Sequence, residues 1–202
     1  EEKLSASLGQ IYYFRDREVR LNAFDPVLAE NTSPLAGEFS WSPNPQWQLR
    51  ASALYDTNDN TFDAASAQAT YFPRSGEVLS AGYTLREPPP SLVERPVTEQ
   101  ANVSAYVPIT DHWSVFGALE YSLEGSTAVE DMVGFEYDNC CWRLRVLYMR
   151  YIDTARGEIP NFSDPNLDRE NAIQVQFLLK GMGGFGGRVD NLLKDMIRGF
   201  SD

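Results

Sequence analysis

Long hydrophobic runs are missing from this 202-residue sequence. Its longest apolar stretches, residues 11–14 and 175–179, fall far short of the about 20 residues that a membrane-spanning helix needs. Residues 1–5, Glu-Glu-Lys-Leu-Ser, do not form the basic patch and apolar stretch of a signal peptide. A helical membrane anchor and a signal peptide are therefore not expected in the residues given.

Basic residues, histidine and cysteine are also scarce. Seventeen Lys and Arg stand against 29 Asp and Glu, for a net charge of −12, so a nucleic-acid partner is not expected. The only cysteines are the neighbours Cys140 and Cys141, and neither CxxC nor HExxH occurs, so we predict no metal site and no cofactor. The single histidine, His112, lacks a nearby Ser/Asp constellation, and we predict no enzymatic activity.

What the sequence does contain is alternation of apolar and polar residues. Apolar residues make up 43% of the chain and aromatic residues 12%, which excludes a disordered chain. In segment 46–56 one face of an extended chain carries Trp47, Leu49, Ala51, Ala53 and Tyr55. The same pattern recurs in 113–123, 142–148 and 173–179. A period of two predicts β-strands, because a helix would scatter these residues around its surface.

This pattern predicts an all-β, antiparallel protein of about ten strands. The predicted strands are 4–14, 34–42, 46–56, 62–72, 77–87, 97–107, 112–123, 130–139, 141–153 and 170–180. Most are about nine to twelve residues long, whereas strands of soluble proteins average about 5–6 and tilted membrane-spanning strands need about 9–11. The lengths favour a transmembrane sheet.

The predicted connections alternate in length. Short turns are expected at 42–45, 73–76, 108–111 and 138–140, and longer segments at 15–33, 57–61, 88–96, 124–129 and 154–169. Short periplasmic turns on one rim and longer extracellular loops on the other are typical of outer-membrane β-barrels. The alternation therefore predicts part of such a barrel, with a soluble secreted β-sandwich as the alternative.

Four tryptophans support the barrel interpretation. Each lies within a few residues of a predicted short turn and shares the apolar face of its strand: Trp41, Trp47, Trp113 and Trp142. Indole rings favour the membrane interface, where the apolar ring and the N–H donor both find suitable surroundings. We therefore predict that these residues form a membrane-interface girdle; the alternative is the core of a sandwich.

The pattern changes after Lys180. Residues 181–187 are rich in glycine and predict a flexible run. Apolar residues then recur at helical spacing, which predicts a short amphipathic tail helix, at Val189, Leu192, Leu193, Met196, Ile197 and Phe200. We accordingly divide the chain into a barrel portion, 1–180, and a tail, 181–202.

The segment Gly-Phe-Glu-Tyr-Asp-Asn-Cys-Cys-Trp-Arg-Leu, residues 134–144, resembles the C-terminal region of the lipopolysaccharide-assembly LptD family. Segments 7–14, 47–55 and 177–184 fit the same family, so the resemblance covers nearly the whole chain. It implies the C-terminal part of a very large barrel in the outer membrane of a Gram-negative bacterium. The alternation of short and long connections predicts that the short turns and the C-terminal tail lie in the periplasm. The implied activity is insertion of lipopolysaccharide into the outer leaflet.

The resemblance also implies partners. These are lipopolysaccharide, a plug lipoprotein called LptE, the N-terminal periplasmic jellyroll and first barrel half of the same protein, the barrel-assembly machinery and outer-membrane lipid. In the family, lipid leaves between the first and last strands. The last strand here would therefore contribute a lateral exit through Ile173, Val175, Phe177 and Leu179. A porin-like or transporter barrel of other function remains an alternative.

The adjacent cysteines and the inward polar residues complete the predicted sites. Neighbouring residues on a strand point to opposite faces, so Cys140 and Cys141 are each expected to form a disulfide elsewhere, or to be free, buried thiols. The resemblance implies partner cysteines in the N-terminal region. The polar residues that we place inside the barrel are expected to satisfy one another across its wall: Gln48, Arg50, Glu120, Arg143, Arg145, Gln174 and Lys180.

Overall fold

The computed structural model describes residues 3–15, 31–87, 97–152, 168–181, 183–185 and 187–200. Within these ranges the chain forms one sheet of eleven strands and one helix. In chain order the elements are β1 (Leu4–Gly9), β2 (Leu35–Trp41), β3 (Trp47–Asp56), β4 (Thr61–Tyr71), β5 (Val78–Arg86), β6 (Thr98–Pro108), β7 (Trp113–Ser122), β8 (Thr127–Asp138), β9 (Trp142–Ile152), β10 (Arg169–Leu179), β11 (Gly183–Phe185) and α1 (Arg188–Met196).

The strands follow one another across the sheet in sequence order, and each is antiparallel to the next. Strands β3 to β10 are 9–12 residues long, the length that crosses a bilayer when a strand is tilted. The prediction of an all-β, antiparallel portion of a transmembrane barrel is confirmed. Within the described residues, β1 and β11 do not pair with each other, so the sheet is open.

The register divides the sheet into two faces of different character. Directly paired residues lie on the same face, and the pairs Trp113–Tyr137, Val115–Phe135 and Val146–Val175 align the apolar sets of neighbouring strands. We call this the outer face. Many of its large apolar side chains are exposed, among them Val103 at 52%, Val133 at 61% and Ile173 at 72%.

The opposite, inner face carries the helix. Val189, Leu193 and Ile197 of the tail are buried against inner-face residues of β5 to β9. The sheet contributes Val78, Tyr106, Phe116, Ala118, Met132, Leu147 and Met149 to this core. Beside the helix, polar and charged side chains on the inner face of β2 to β6 line a cleft of about 810 Å³, and Lys194 and Arg198 of the tail line it from the other side. The core thus lies between the sheet and its own tail.

The predicted tail helix is confirmed, but the glycine-rich run before it is more ordered than expected. Gly181 adopts a positive φ of 88°, which glycine tolerates without steric cost, and the chain reverses there. Gly183–Phe185 then pairs with the end of β10, with Phe185 opposite Phe177. Sequence periodicity missed β11 because three residues, two of them glycine, carry no alternation. Among the described residues, no helix is long and apolar enough to cross a bilayer.

The first predicted strand, 4–14, is too long. Ladder pairing of β1 ends at Gly9, and only the isolated bridge Tyr12–Thr32 continues it. Opposite this break lies Pro34, which has no N–H to donate to a ladder. Side chains replace the regular bonds there: Ser33 Oγ accepts the Ile11 N–H at 2.9 Å, and the Gln10 side chain donates to the Ser33 carbonyl at 3.0 Å.

Two of the predicted longer connections are tight turns. Residues 57–60 and 123–126 link their strands in four residues, helped by positive φ angles at Asn60 and Ser126. A β-bulge in each of these hairpins, at Leu54–Tyr55 and Glu120–Tyr121, lets the strands pair further than expected, so β8 begins at Thr127 rather than at 130. The predicted connections 15–33, 88–96 and 154–169 lie wholly or largely outside the described residues.

Candidate functional site: the turn-side rim

The four short connections 42–46, 72–77, 109–112 and 139–141 lie at one end of the sheet, which we call the turn-side rim. Every tryptophan lies at this rim: Trp41 ends β2, and Trp47, Trp113 and Trp142 begin β3, β7 and β9. All four share the outer face, as the sequence predicted. Trp41, Trp47 and Trp113 are 40–45% exposed, so they lie on the surface and not in a sandwich core.

Two of the tryptophans, Trp113 and Trp142, belong to a continuous row of aromatic rings. Trp113 contacts Tyr137, Tyr137 contacts Trp142, and Trp142 contacts Phe177, with ring centroids 4.8, 5.0 and 5.8 Å apart. The row therefore runs across β7 to β10 at one height. A second pair, Trp47 and Tyr71, stacks at 4.5 Å on β3 and β4. A band of amphipathic rings at one height of an apolar face is the arrangement of membrane-interface aromatic belts.

Cys140 and Cys141 lie at the turn-side rim, in the turn between β8 and β9. Both are free and exposed, and their Sγ atoms are 2.8 Å apart. The expectation that they point to opposite faces is wrong, because it assumed a strand, and a turn does not impose the alternation of a pleated chain. The alternative of buried thiols is wrong as well. The predicted disulfides to cysteines elsewhere involve residues outside this chain and stay a prediction.

An ion-pair network supports the cysteine turn from the inner side. Asp138, the last residue of β8, accepts a hydrogen bond from Arg143 at 3.0 Å and also pairs with Lys180. Lys180 follows β10, and its backbone N–H donates to the carbonyl of Cys141 at 2.9 Å. Three strand ends thus meet at the turn. Arg143 and Lys180 both pair with Asp138, which was not among the inward polar residues predicted to satisfy one another.

A second network joins the sheet to the tail. The Arg145 guanidinium is 1% exposed and pairs with Glu136 of β8 and with Asp190 of α1. It also donates to Gln176 at 3.1 Å, and the Tyr106 hydroxyl donates to Glu136 at 2.9 Å. The sequence placed Arg145 on the inner face, but its pairing with Asp190 links residues 45 positions apart and has no local signal.

Other predicted residues are distributed over the molecule. Ile173, Val175, Phe177 and Leu179 lie together on the outer face of β10 and are 40–72% exposed. The ring of His112 contacts the carbonyl of Asp138 at 2.9 Å. In the described part of the chain, no group of three His, Cys, Asp or Glu residues is placed to hold a metal ion.

The opposite end of the outer face is polar, and sequence reasoning did not identify this. The single Nε–H of Arg150 is shared between the two carboxylate oxygens of Asp131, at 3.1 and 3.0 Å. The Tyr148 hydroxyl donates to Asn171 at 2.8 Å. On β8 to β10, the apolar band is therefore bounded by aromatic rings at one end and by charged and polar groups at the other.

Comparison with known proteins assigns the chain to a family. The family model described as LptD, LPS transport system D, matches residues 1–113. Relatives named LPS-assembly protein LptD include those of Nitrosococcus oceani, 34% identical over 206 residues, and Alcanivorax borkumensis, 33% identical over 199 residues. Each alignment covers 98% of this chain and 24% of the relative, so the chain spans about a quarter of the length of these relatives. The chain belongs to the LptD family.

Proposed function

We propose that this chain is the C-terminal wall of an outer-membrane barrel that inserts lipopolysaccharide into the outer leaflet of a Gram-negative bacterium. The observation that carries the proposal is the outer face: an apolar band on membrane-length strands with an aromatic row at one end, in a chain of the LptD family. The relatives are named for lipopolysaccharide assembly. No step of this function needs bond chemistry from the residues described, since transfer of a lipid depends on differences in binding.

The last long strand is the proposed lateral exit. Within the described residues, β10 is paired along its full length with β9, but on its other edge only Phe177–Leu179 is paired, with β11. The rest of that edge carries hydrogen-bonding groups available to a strand from another part of the protein. Ile173 and Val175, which are 72% and 51% exposed on the outer face, adjoin this edge and would contact an emerging acyl chain.

The remaining partners follow from the same proposal. The first barrel half of the complete protein would pair with β1 and β10, and the polar inner face of β2 to β6 would face the lumen and the plug lipoprotein LptE. The aromatic row would lie at the periplasmic interface, so that the C-terminus is periplasmic. There Cys140 and Cys141 would form disulfides with cysteines of the N-terminal periplasmic domain, in an oxidising compartment.

Photo-crosslinking in living cells tests this function. A crosslinking amino acid at Val175 or Phe177 of the complete protein should capture lipopolysaccharide, and the signal should fall when the supply of new lipopolysaccharide is stopped. Val133 provides the matched control, because it is exposed on the same face but lies two strands from the edge of β10. Its crosslinks to resident lipid should not depend on supply. Capture of phospholipid alone at Val175 and Phe177 would instead support a porin-like barrel.

A further inference from the structure

The cleft between the inner face of β2 to β6 and the tail is lined by groups that form hydrogen bonds. Hydroxyl and amide side chains make up most of its sheet side, among them Ser40, Gln48, Ser52, Gln68, Thr84 and Asn102. Its volume of about 810 Å³ lies within the roughly 300–1,000 Å³ of ligand pockets. Polar groups that lose water without gaining a hydrogen bond cost free energy. The lining therefore suits a ligand rich in hydroxyl groups and not an acyl chain.

Two of the amides come together over a glycine. Gly82 of β5 lies between Gln68 of β4 and Asn102 of β6 in the sheet register. A side chain at position 82 would overlap the amide oxygens of both neighbours, so its absence is what leaves the two amides their room in the cleft. Each amide carries both donors and an acceptor, the combination that a sugar hydroxyl can use in either direction.

Three cations line the same cleft. Arg50 of β3 and Lys194 and Arg198 of the tail are all exposed there. Within the described part of the chain, none of the three forms a hydrogen bond or an ion pair. Of the described residues around the cleft, Glu38 alone carries a carboxylate. The cleft thus has a surplus of two positive charges in a chain whose net charge is −12, and these charges are available to a ligand.

The tail is fixed to the sheet at both ends, which sets the positions of its two cations. At the start of the helix, Asp190 pairs with Arg145. At the other end, Gly199 has a φ of 92° and lies so close to β4 that an added Cβ would be 3.0 Å from Thr70 and from Phe72. The ring of Phe200 lies 4.9 Å from that of Tyr106. Lys194 and Arg198 are therefore held opposite Arg50 by contacts that they do not make themselves.

We propose that this cleft binds a phosphate-bearing saccharide. The phosphate lies among Arg50, Lys194 and Arg198, and the sugar hydroxyls bond to the amides and hydroxyls of β2 to β6. Guanidinium groups match phosphate oxygens in a two-pronged geometry. A phosphate monoester carries about −1.5 to −2 charges at pH 7, which balances the surplus of the cleft, whereas a carboxylate would balance only half of it.

The inference deepens the proposed function, because it names the polar chemistry that the inner wall recognises. It rests on that function only for the source of the ligand, which is then the phosphorylated polar part of the transported lipid. A free sugar phosphate has the same chemistry, and the experiment separates the two sources.

Protection of arginine from phenylglyoxal tests the site in the complete protein with its partners bound. Modification of Arg50 and Arg198 is followed by mass spectrometry of their peptides, and Arg74, in an exposed turn at the rim, is the internal control. Glucose 6-phosphate should protect Arg50 and Arg198 at lower concentration than glucuronate, inorganic phosphate or glucose, and should leave Arg74 reactive. Equal protection by inorganic phosphate and glucose 6-phosphate would overturn the saccharide site. Arginines that are unreactive without any ligand would also overturn it, since another segment would then fill the cleft.

Charge substitutions supply matched variants. Lys194→Gln should raise the concentration of glucose 6-phosphate that protects Arg50 by about tenfold, the value of one charge-assisted hydrogen bond. Arg50→Gln should do the same for protection of Arg198. Arg188→Gln removes the same charge from an exposed position of the same helix outside the cleft and should have no effect. An equal loss in the Arg188 and Lys194 variants would reduce the effect to net charge and overturn the site.

Detergent-dispersed lipopolysaccharide, intact or dephosphorylated, identifies the source. Protection by the intact lipid and not by the dephosphorylated lipid assigns the site to the transported lipid. Protection by glucose 6-phosphate alone assigns it to a free sugar phosphate, and protection by neither overturns the site. Lipid transfer is scored separately by crosslinking at Val175. A protein that passes this crosslinking test but shows no protection retains the proposed function and lacks the saccharide site.

Discussion

Cys140 and Lys180 shift the pKa of the Cys141 thiol in opposite directions. The pKa of Cys141 is raised, mainly because the thiol of Cys140 hydrogen-bonds to it and because charge on Cys140 would repel a second thiolate. The positive charge of Lys180 works the other way and lowers the pKa of Cys141. Since only the thiolate reacts, substitutions at the two positions should change reactivity with opposite signs.

We therefore expect Lys180→Gln to raise the pKa of Cys141 further and to slow its alkylation below that pKa. Cys140→Ala should lower the pKa of Cys141 towards its ordinary value and accelerate alkylation at the same pH. The measurement is the rate of iodoacetamide labelling of Cys141 in the reduced protein as a function of pH. Arg74→Gln is a control, because Arg74 lies in a different turn at the same rim and pairs with Glu77. Changes of the same sign in the Lys180 and Cys140 variants would contradict the assignment.

Asp190 is the tail's contribution to the network around Arg145. Because the Arg145 guanidinium is almost completely buried, replacing the carboxylate of Asp190 by a neutral amide removes a negative charge that stabilises it, at a cost of about 1–3 kcal/mol. Asp190→Asn should therefore weaken docking of the tail. Amide hydrogen exchange in residues 188–196 of the complete protein should become faster, while exchange in β7 to β9 stays unchanged. Asp195→Asn is the matched control on an exposed position of the same helix, and an equal effect of both substitutions would contradict the role of Asp190.

At the scale of elements, the inner and outer faces of each long strand differ in what covers them. Inner-face residues of β7 to β9 pack against α1 or face polar neighbours, whereas the outer face presents large apolar side chains that the sheet itself does not cover. An exposed apolar band of this extent is unusual on a soluble protein. A bilayer would cover it, and this is the physical reason for strands longer than those of typical soluble sheets.

Val133 provides a sharp test, because its side chain is 61% exposed in the middle of the outer face of β8. If lipid covers this face, Val133→Arg should destabilise the folded barrel by about 2–4 kcal/mol, the cost of a basic residue at the bilayer midplane. If water covers it, the substitution should be nearly neutral. Denaturant unfolding of the protein in lipid vesicles measures the difference, with Val133→Ala as control for the lost side chain and Asn102→Arg on the polar inner face as control for the added charge.

At the scale of the whole molecule, the sheet is one wall with two edges. In the described residues β1 has a neighbour on one side only, and β10 has a partner along its second edge for three residues. A transmembrane sheet must be closed, since unpaired N–H and C=O groups in hydrocarbon cost several kcal/mol each. Further strands of the complete protein are therefore required, in agreement with a chain that covers 24% of its relatives.

Orientation in the membrane is the prediction at this scale. The aromatic row and the cysteine turn lie at the turn-side rim, which we place in the periplasm. Single cysteines at Asn44, in a turn of this rim, and at Asn58, in a turn of the opposite rim, are to be introduced into a protein whose native cysteines are serine. A membrane-impermeant maleimide should label intact cells at Asn58 and should label Asn44 only after the outer membrane is permeabilised. The reverse result would invert the topology.

The alternation of residues determined most of the fold. A pleated strand places every second side chain on one face, so a run such as Trp113 to Ser122 specifies its own conformation and its apolar side without reference to any other strand. The same logic located the tryptophans at the turn-side rim and the amphipathic helix of the tail. Strand ends were less accurate, because the bulges at Leu54 and Glu120 and the proline at Pro34 alter pairing with a neighbour.

Only the tertiary structure decided where the tail and the two thiols lie. The apolar stripe of α1 predicts that Leu193 is buried, but its place in one core with Phe116 and Leu147 of the inner face depends on the reversal of the chain at Gly181. Asp190 and Arg145 meet for the same reason. Cys140 and Cys141 share one side of a turn because hydrogen bonds from Asn139 and from the end of β10 fix the peptide units on both sides of the pair. The period of a sequence determines which residues share the apolar face of a strand or helix. Contacts between distant residues depend instead on how the strands and the helix pack together.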